Sequence, residues 1–324
     1  MPHPPPTHHA PHHRPGQSRR LLITGVAGFL GRHLARVAAD AGWEVVGVVR
    51  ASPEAATPEI AATVRADLAE PRAAQHAIEQ LAPHTVIHCA ANARTAECEK
   101  SPQAAHRDNV LATEQLARAC RGIPLVVCST DLVFDGERPG GMYTEDDATG
   151  PLNAYARSKV AMEAKLGELG SRAIIARLPL LFGPPAGGDA PGCFLGAWAE
   201  HLRGGKELVL FTDEWRTPLS ARDAARGLLA CLGHGEPGQT YHLAGAQRVD
   251  RYDLGRRFAA HAAGSLGFDE ALMKAGVRAD VPMPAPRAKD VSLDSTRAGR
   301  DLGFEPRPLD DELAWTAGVM AGQP

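Results

Sequence analysis

Leu21-Leu22-Ile23-Thr24-Gly25-Val26-Ala27-Gly28-Phe29-Leu30-Gly31 runs a short apolar stretch straight into three glycines spaced three residues apart, and an amphipathic helical pattern follows. Glycines at such a turn let the chain close tightly, let backbone N–H groups approach a pyrophosphate at the helix N-terminus, and let the helix pack on its strand. Gly25, Gly28 and Gly31 therefore read as a dinucleotide cradle, with Phe29 and Leu30 of the same turn counted in the cofactor site. Its context strengthens the reading, because a second apolar strand begins after Gly42.

Beyond this turn the chain alternates apolar runs with amphipathic stretches. Strands are expected at Leu21–Thr24, Glu44–Val49, Thr63–Ala66, Thr85–Cys89, Leu125–Ser129 and Ala173–Arg177. That order predicts an α/β fold, a Rossmann-type doubly wound parallel sheet, over residues 21–180. From 181 to 324 the texture becomes Gly- and Pro-rich between helical pieces near 193–204, 221–232 and 251–264, which predicts a smaller C-terminal substrate-binding domain. The apolar run Thr240–Ala244 is expected to return to the first sheet.

The second strand ends in Val48-Val49-Arg50, with no carboxylate to take the ribose hydroxyls of NAD. An arginine there pairs with the 2′-phosphate of NADP, so NADP is the expected cofactor and NAD the second choice. Asp67-Leu68, after the third strand, is placed to receive the adenine amino group, or else Asp67 caps a helix.

The whole chain narrows the field. Its 324 residues, 44% of them hydrophobic, bury a sizeable core, and a net charge of -3 with interspersed signs argues against a nucleic-acid partner. Six cysteines without a Cys-x-x-Cys pair read as reduced structural thiols. No apolar stretch suits a signal peptide or a membrane span, so a soluble cytoplasmic protein is expected. Residues 1–20, Pro- and His-rich, are too poor in apolar side chains to order and are set outside the fold. No metal constellation stands out, and His84 and His88 read as core or edge residues of a strand.

Tyr155 and Lys159 stand four residues apart at the start of a helical pattern reaching about Leu169, so they share a face. A cation beside a phenol favours phenolate, and such a pair hands a proton to an alkoxide near neutral pH. The strand Leu125–Ser129 ends in Cys128-Ser129-Thr130-Asp131, at the carboxyl edge where open α/β sheets hold ligands. Either Thr130 or Ser129 is then available to a substrate oxygen, or both cap local backbone.

Taken together, Gly25-x-x-Gly28-x-x-Gly31, Cys89-Ala90-Ala91, Ser129-Thr130-Asp131-Leu132-Val133-Phe134-Asp135-Gly136 and Tyr155-x-x-x-Lys159 resemble the extended short-chain dehydrogenase/reductases. The likeness covers nearly everything after residue 20. The stretch from Ser129 through Tyr143-Thr144-Glu145-Asp146-Asp147 to Pro151-Leu152-Asn153 is most similar to the dTDP-4-dehydrorhamnose reductase branch. That resemblance implies Tyr155 as proton donor, Lys159 as its support and Thr130 as the substrate-polarising hydroxyl. It implies Ala90 and Ala91 along the cofactor, and for Asn109 a structural or proton-relay role beside it. Arg216 and Arg287 fall where related nucleotide-sugar enzymes face the substrate diphosphate, although surface ion pairs would explain them too. Two departures touch the substrate end: Leu132 replaces the branch's usual tyrosine, and Trp215-Arg216-Thr217-Pro218 replaces a Gly-Ser-Pro-Thr type of segment.

The implied activity is hydride transfer between NADP(H) and a 4-keto nucleotide sugar, in a homodimer paired through the helices near 102–120 and 153–169. Epimerases and dehydratases share the apparatus and stay as alternatives. So does a non-catalytic regulatory subunit like the beta subunit of methionine adenosyltransferase.

Overall fold

A computed structural model of the chain describes residues 19–50, 57–186 and 192–322. The expected strands are β1 (Arg19–Thr24), β2 (Trp43–Val49), β3 (Ile60–Arg65), β4 (Thr85–His88), β5 (Leu125–Thr130) and β6 (Ile174–Leu178). With Thr240–His242 they make one seven-stranded sheet in the order Thr240–His242, β6, β5, β4, β1, β2, β3, every pairing parallel. This is the Rossmann-type doubly wound sheet. The histidines of the tail lie outside the described residues. Arg19 and Arg20, assigned to that tail from the sequence, instead open β1: Arg19 lies 4.6 Å over the Trp43 ring and Arg20 pairs with Glu44 at 2.7 Å.

Helices cover both faces of the sheet, which is why its central strands read as unbroken apolar runs. Every residue of β5 is buried, whereas β3, at the edge, is mostly open. A register irregularity between Val45 and Val46 lets β3 start at Ile60, three residues ahead of the expected position. One face carries α1 (Phe29–Asp40), packed with Leu228, Cys231, Tyr241 and Leu243 from late in the chain. The other carries α2 (Ala73–Leu81), α5 (Ala112–Ala119) and α6 (Ala154–Glu168), with α3 (Thr95–Lys100) and α4 (Pro102–His106) packed against the start of α6. Between α4 and α5 the helix widens into a π turn, Arg107–Leu111.

Past β6, the helices α7 (Phe194–Arg203), α8 (Ala221–His234), α9 (Arg251–Leu266), α10 (Thr296–Leu302) and α11 (Leu309–Met320) follow. α7, α9 and α11 enclose a separate apolar cluster around Phe182, Leu195, Trp198, Leu210, Phe258 and Leu313. Among the described residues no helix is long and apolar enough to cross a membrane, and all six cysteines are free thiols.

The strand order reverses at β1. The chain runs outward through β2 and β3, then crosses to β4 on the other side. Neighbouring connections leave such a point in opposite directions, so a crevice opens beyond the carboxyl ends of β1 and β4.

Candidate active site

Gly25, immediately after β1, has φ +68°, in the left-handed region, and a Cβ there would sit 2.8 Å from the Ala90 backbone. At Gly31 a Cβ would lie 2.2 Å from the Gly25 carbonyl oxygen. No side chain caps α1 and its first turn holds no acidic residue. Its N-terminal N–H groups and positive dipole end therefore face the crevice without an internal anion. Beneath the turn, His88 locks β4 to its surroundings, with Nδ1 2.6 Å from Thr24 Oγ1 and Nε2 2.9 Å from Thr113 Oγ1. Burial drives its pKa down to about 3, so the ring is neutral.

Two cavities meet at Gly25 and Ala91. The smaller, about 190 Å³, is lined by Arg50, Asp67, Leu68 and Ala90 together with Val48 and Asp108. Asp67 serves its own turn as well: Oδ1 accepts the Ala69 N–H at 3.1 Å, and Oδ2 takes Arg107 at 2.8 Å. The larger, about 800 Å³, takes in Gly28, Phe29, Leu30 and Gly31, then Thr130, Tyr155 and Lys159, and finally Arg216 and Arg287. Asn109 lines neither. Buried in the π turn, it accepts the Asn92 N–H at 2.8 Å and donates to Asn92 O at 3.1 Å and Ser158 Oγ at 2.8 Å, so it braces the segment after β4 against α6.

The two hydroxyls at the end of β5 separate here. Ser129 donates to Glu163 at 2.5 Å, and Glu163 is held twice by Arg177, at 3.1 and 2.7 Å. Thr130 accepts the Leu132 N–H at 3.2 Å and donates to Asp131 Oδ1 at 3.0 Å. Tyr155, buried near the start of α6, has its pKa raised by burial and then by the charge of Asp131, against a hydrogen bond with Thr130. Lys159 donates from Nζ to the Cys128 carbonyl at 2.9 Å, and burial lowers its pKa. The spacing predicts a phenol pulled down by the ammonium. In this structure the ammonium is drawn to the backbone carbonyl, and Tyr155 is a firmly protonated phenol.

Asp131 is 3% exposed, and its Oδ2 has no hydrogen-bond partner. Burial pushes its pKa up to about 6, against the pull of Arg216, whose Nε lies 3.5 Å away. Beyond it, Glu214 gathers three arginines: Arg287 in a two-point fork at 2.6 Å each, Arg216 at 3.4 Å and Arg251 at 3.9 Å. Burial alone would raise the Glu214 pKa, but Arg216 and Arg287 hold it near 2. Arg251 packs on the Phe194 and Trp198 rings at 4.6 and 4.8 Å.

Residues 19–319 match the family model described as RmlD substrate binding domain. The chain belongs to this family. It is 32% identical over 298 residues to the "Probable low-salt glycan biosynthesis reductase" of Haloferax volcanii, covering 90% of this chain and 95% of that one. It is 30% identical over 285 residues to the dTDP-4-dehydrorhamnose reductase of Mycobacterium tuberculosis, 86% of each. It is also 37% identical to the methionine adenosyltransferase 2 subunit beta of Rattus norvegicus, but over 170 residues, spanning 51% of this chain and 48% of that protein. The solved dTDP-4-dehydrorhamnose reductase from Bacillus anthracis in complex with NADP superposes with a TM-score of 0.76 at 23% identity, covering 93% and 99% of the two chains. That last likeness establishes the shared fold.

Within this RmlD-type chain, sequence reasoning passed over five charged groups. Asp131 was visible only as part of a motif, and Glu214 sits in a short loop segment with no periodicity to expose it. Arg107, Asp108 and Arg251 belong to helical segments, where a charged residue reads as solvated surface. Leu132, the departure from the motif, lines the larger cavity and packs beside Tyr155.

Proposed function

We propose that this chain is an NADPH-dependent reductase of a 4-keto nucleotide sugar, of the dTDP-4-dehydrorhamnose reductase kind, with NADH as the alternative cofactor. The observation that carries the reading is one cavity lined by Thr130 and Tyr155 and by Arg216 and Arg287, two of the three arginines gathered on Glu214. A dinucleotide fits the residues present: Gly25, Gly28 and Gly31 line the cavity at the start of α1, whose N-terminus has no side-chain cap and no acidic residue in its first turn. Its phosphates would lie on the N-terminus of α1, and its adenosine end in the smaller cavity by Arg50, Asp67, Leu68 and Ala90.

When bound, the nicotinamide supplies a hydride for the keto carbon. Thr130, its hydroxyl turned from Asp131 Oδ1, donates to the carbonyl oxygen, and Tyr155 gives that oxygen a proton as charge develops. A phenol kept protonated by burial is the correct starting state for that donation. Lys159, released from the Cys128 carbonyl, stabilises the phenolate left behind. Arg216 and Arg287 suit the diphosphate because each guanidinium presents a planar fork of donors. Leu132 offers the sugar ring an apolar surface where the branch usually presents a tyrosine hydroxyl. Exposed Leu111 and Leu152, beside the helices expected to pair, fit a homodimer.

The test is NADPH oxidation with a panel of 4-keto nucleotide sugars, with Tyr155→Phe alongside. Oxidation that the variant abolishes supports the reading. NADPH bound but never oxidised across the panel shifts it to an epimerase or to a regulatory subunit, in line with the half-length similarity to the beta subunit.

A further inference from the structure

The smaller cavity is walled by an ionic network. Arg50 Nη1 donates to Asp108 Oδ2 at 2.8 Å, and the second oxygen of Asp108 takes Arg107 Nη1 at 3.1 Å. Arg107 also holds Asp67 at 2.8 Å and Glu70 at 2.6 Å. The two partners at the cavity differ in freedom: the Arg50 side chain is 64% exposed and that of Asp108 14%. Asp108 sits in the π turn that Asn109 braces, so the fold fixes the carboxylate and the guanidinium swings to it.

In this network, two guanidinium charges face three carboxylates. A phosphate monoester brings about −1.5 to −2 of further charge, and nothing in the network is positive in excess to receive it. Arg50 serves a 2′-phosphate only by leaving or sharing Asp108. A ribose with a free 2′-hydroxyl brings no charge and leaves the Arg50–Asp108 pair intact.

We infer that Asp108, through its grip on Arg50, sets the balance between NADP(H) and NAD(H). It holds back the phosphate-bearing cofactor and keeps the site open to the other. The inference rests on the dinucleotide reading above. It goes beyond that reading by naming the residue that tunes the choice.

The test is direct binding of NADPH and of NADH to the full chain, followed by nucleotide fluorescence at low and high salt, for wild type, D108N, R50Q and the double variant. D108N should tighten NADPH by about fivefold and leave NADH within about twofold, as expected for removing one partly exposed charge. NADPH binding should also weaken more steeply with salt. R50Q should weaken NADPH and spare NADH, and in its background D108N should no longer move the ratio. An unchanged ratio in D108N, with both cofactors still binding, overturns the inference. Binding of neither cofactor to the wild type overturns the dinucleotide reading and takes the inference with it. If D108N loses both cofactors together, Asp108→Ser decides in its place, with the same expected direction.

Discussion

Gly31→Ala separates the glycine turn's packing from its ligand role. The new Cβ would stand 2.2 Å from the Gly25 carbonyl oxygen and 2.8 Å from Val26 Cα, both backbone atoms that no rotamer change moves aside. Ordinary carbon–oxygen contacts lie at about 3.3 Å, so the first turn of α1 must retreat by roughly 1 Å. An N–H···O bond of about 2.9 Å is then stretched beyond use. Losing one such bond to a charged phosphate costs about 1.5–3 kcal/mol, or roughly 10- to 100-fold in Kd. Overpacking the strand–helix joint adds about 1–3 kcal/mol of instability. Gly28→Ala is the companion, because its Cβ would be 3.2 Å from Gly25 O, which needs only a few tenths of an ångström of give. It should spare stability while still crowding the pyrophosphate. The assay is NADPH titration beside urea unfolding. Wild-type affinity together with an unchanged unfolding midpoint in Gly31→Ala would refute the argument that this glycine is fixed by the turn.

Tyr155→Phe should lower kcat by about 10²- to 10⁴-fold with NADPH affinity retained, read by single-turnover oxidation and binding. Arg287→Ala frees one side of Glu214 and should raise KM by roughly 10- to 100-fold, the value of a charged hydrogen bond, with a smaller change in kcat. Arg287→Lys should restore only part of it, since an ammonium lacks the fork. Asp131→Asn should stabilise the fold at neutral pH while impairing turnover. A carboxyl raised from 3.8 to about 6 is protonated more readily when folded, so stability is full below pH 3.8 and falls as pH rises through 6. That span is worth roughly 3 kcal/mol at most, and urea midpoints at pH 4 and 7.5 should converge in the variant.

The sheet was legible because buried parallel strands such as β5 cannot hide their apolar runs, and the returning strand Thr240–His242 was visible for the same reason. β3 was placed late because an edge strand is half solvated: Ala61 and Ala62 face outward and give no alternation. Of the site, the backbone-defined part was legible, since only glycine satisfies those contacts, and so was the Tyr155–Lys159 spacing. What escaped is the charge arrangement. The direction of the Lys159 ammonium depends on the Cys128 carbonyl, 31 residues away in sequence. The three arginines around Glu214 meet through loops and a helix start separated by up to 73 residues. The π turn that aims Asp108 and Asn109 leaves no periodic mark over five residues.

The strand Thr240–His242 also bears on how the chain is divided. It pairs with β6, yet it is delivered only after the intervening helices α7 and α8 have been laid down. Leu228 and Cys231 of α8 complete the apolar layer over β1 and α1. Expression of residues 19–180 alone would therefore leave one face of the sheet covered by α1 alone and β6 as a bare edge, an open template for intermolecular pairing. The nucleotide cradle and the arginine cluster cannot be exchanged between relatives as separate cassettes. A working hybrid has to carry α8 and its following strand with the half they cover, and so change partners inside the C-terminal half rather than before it.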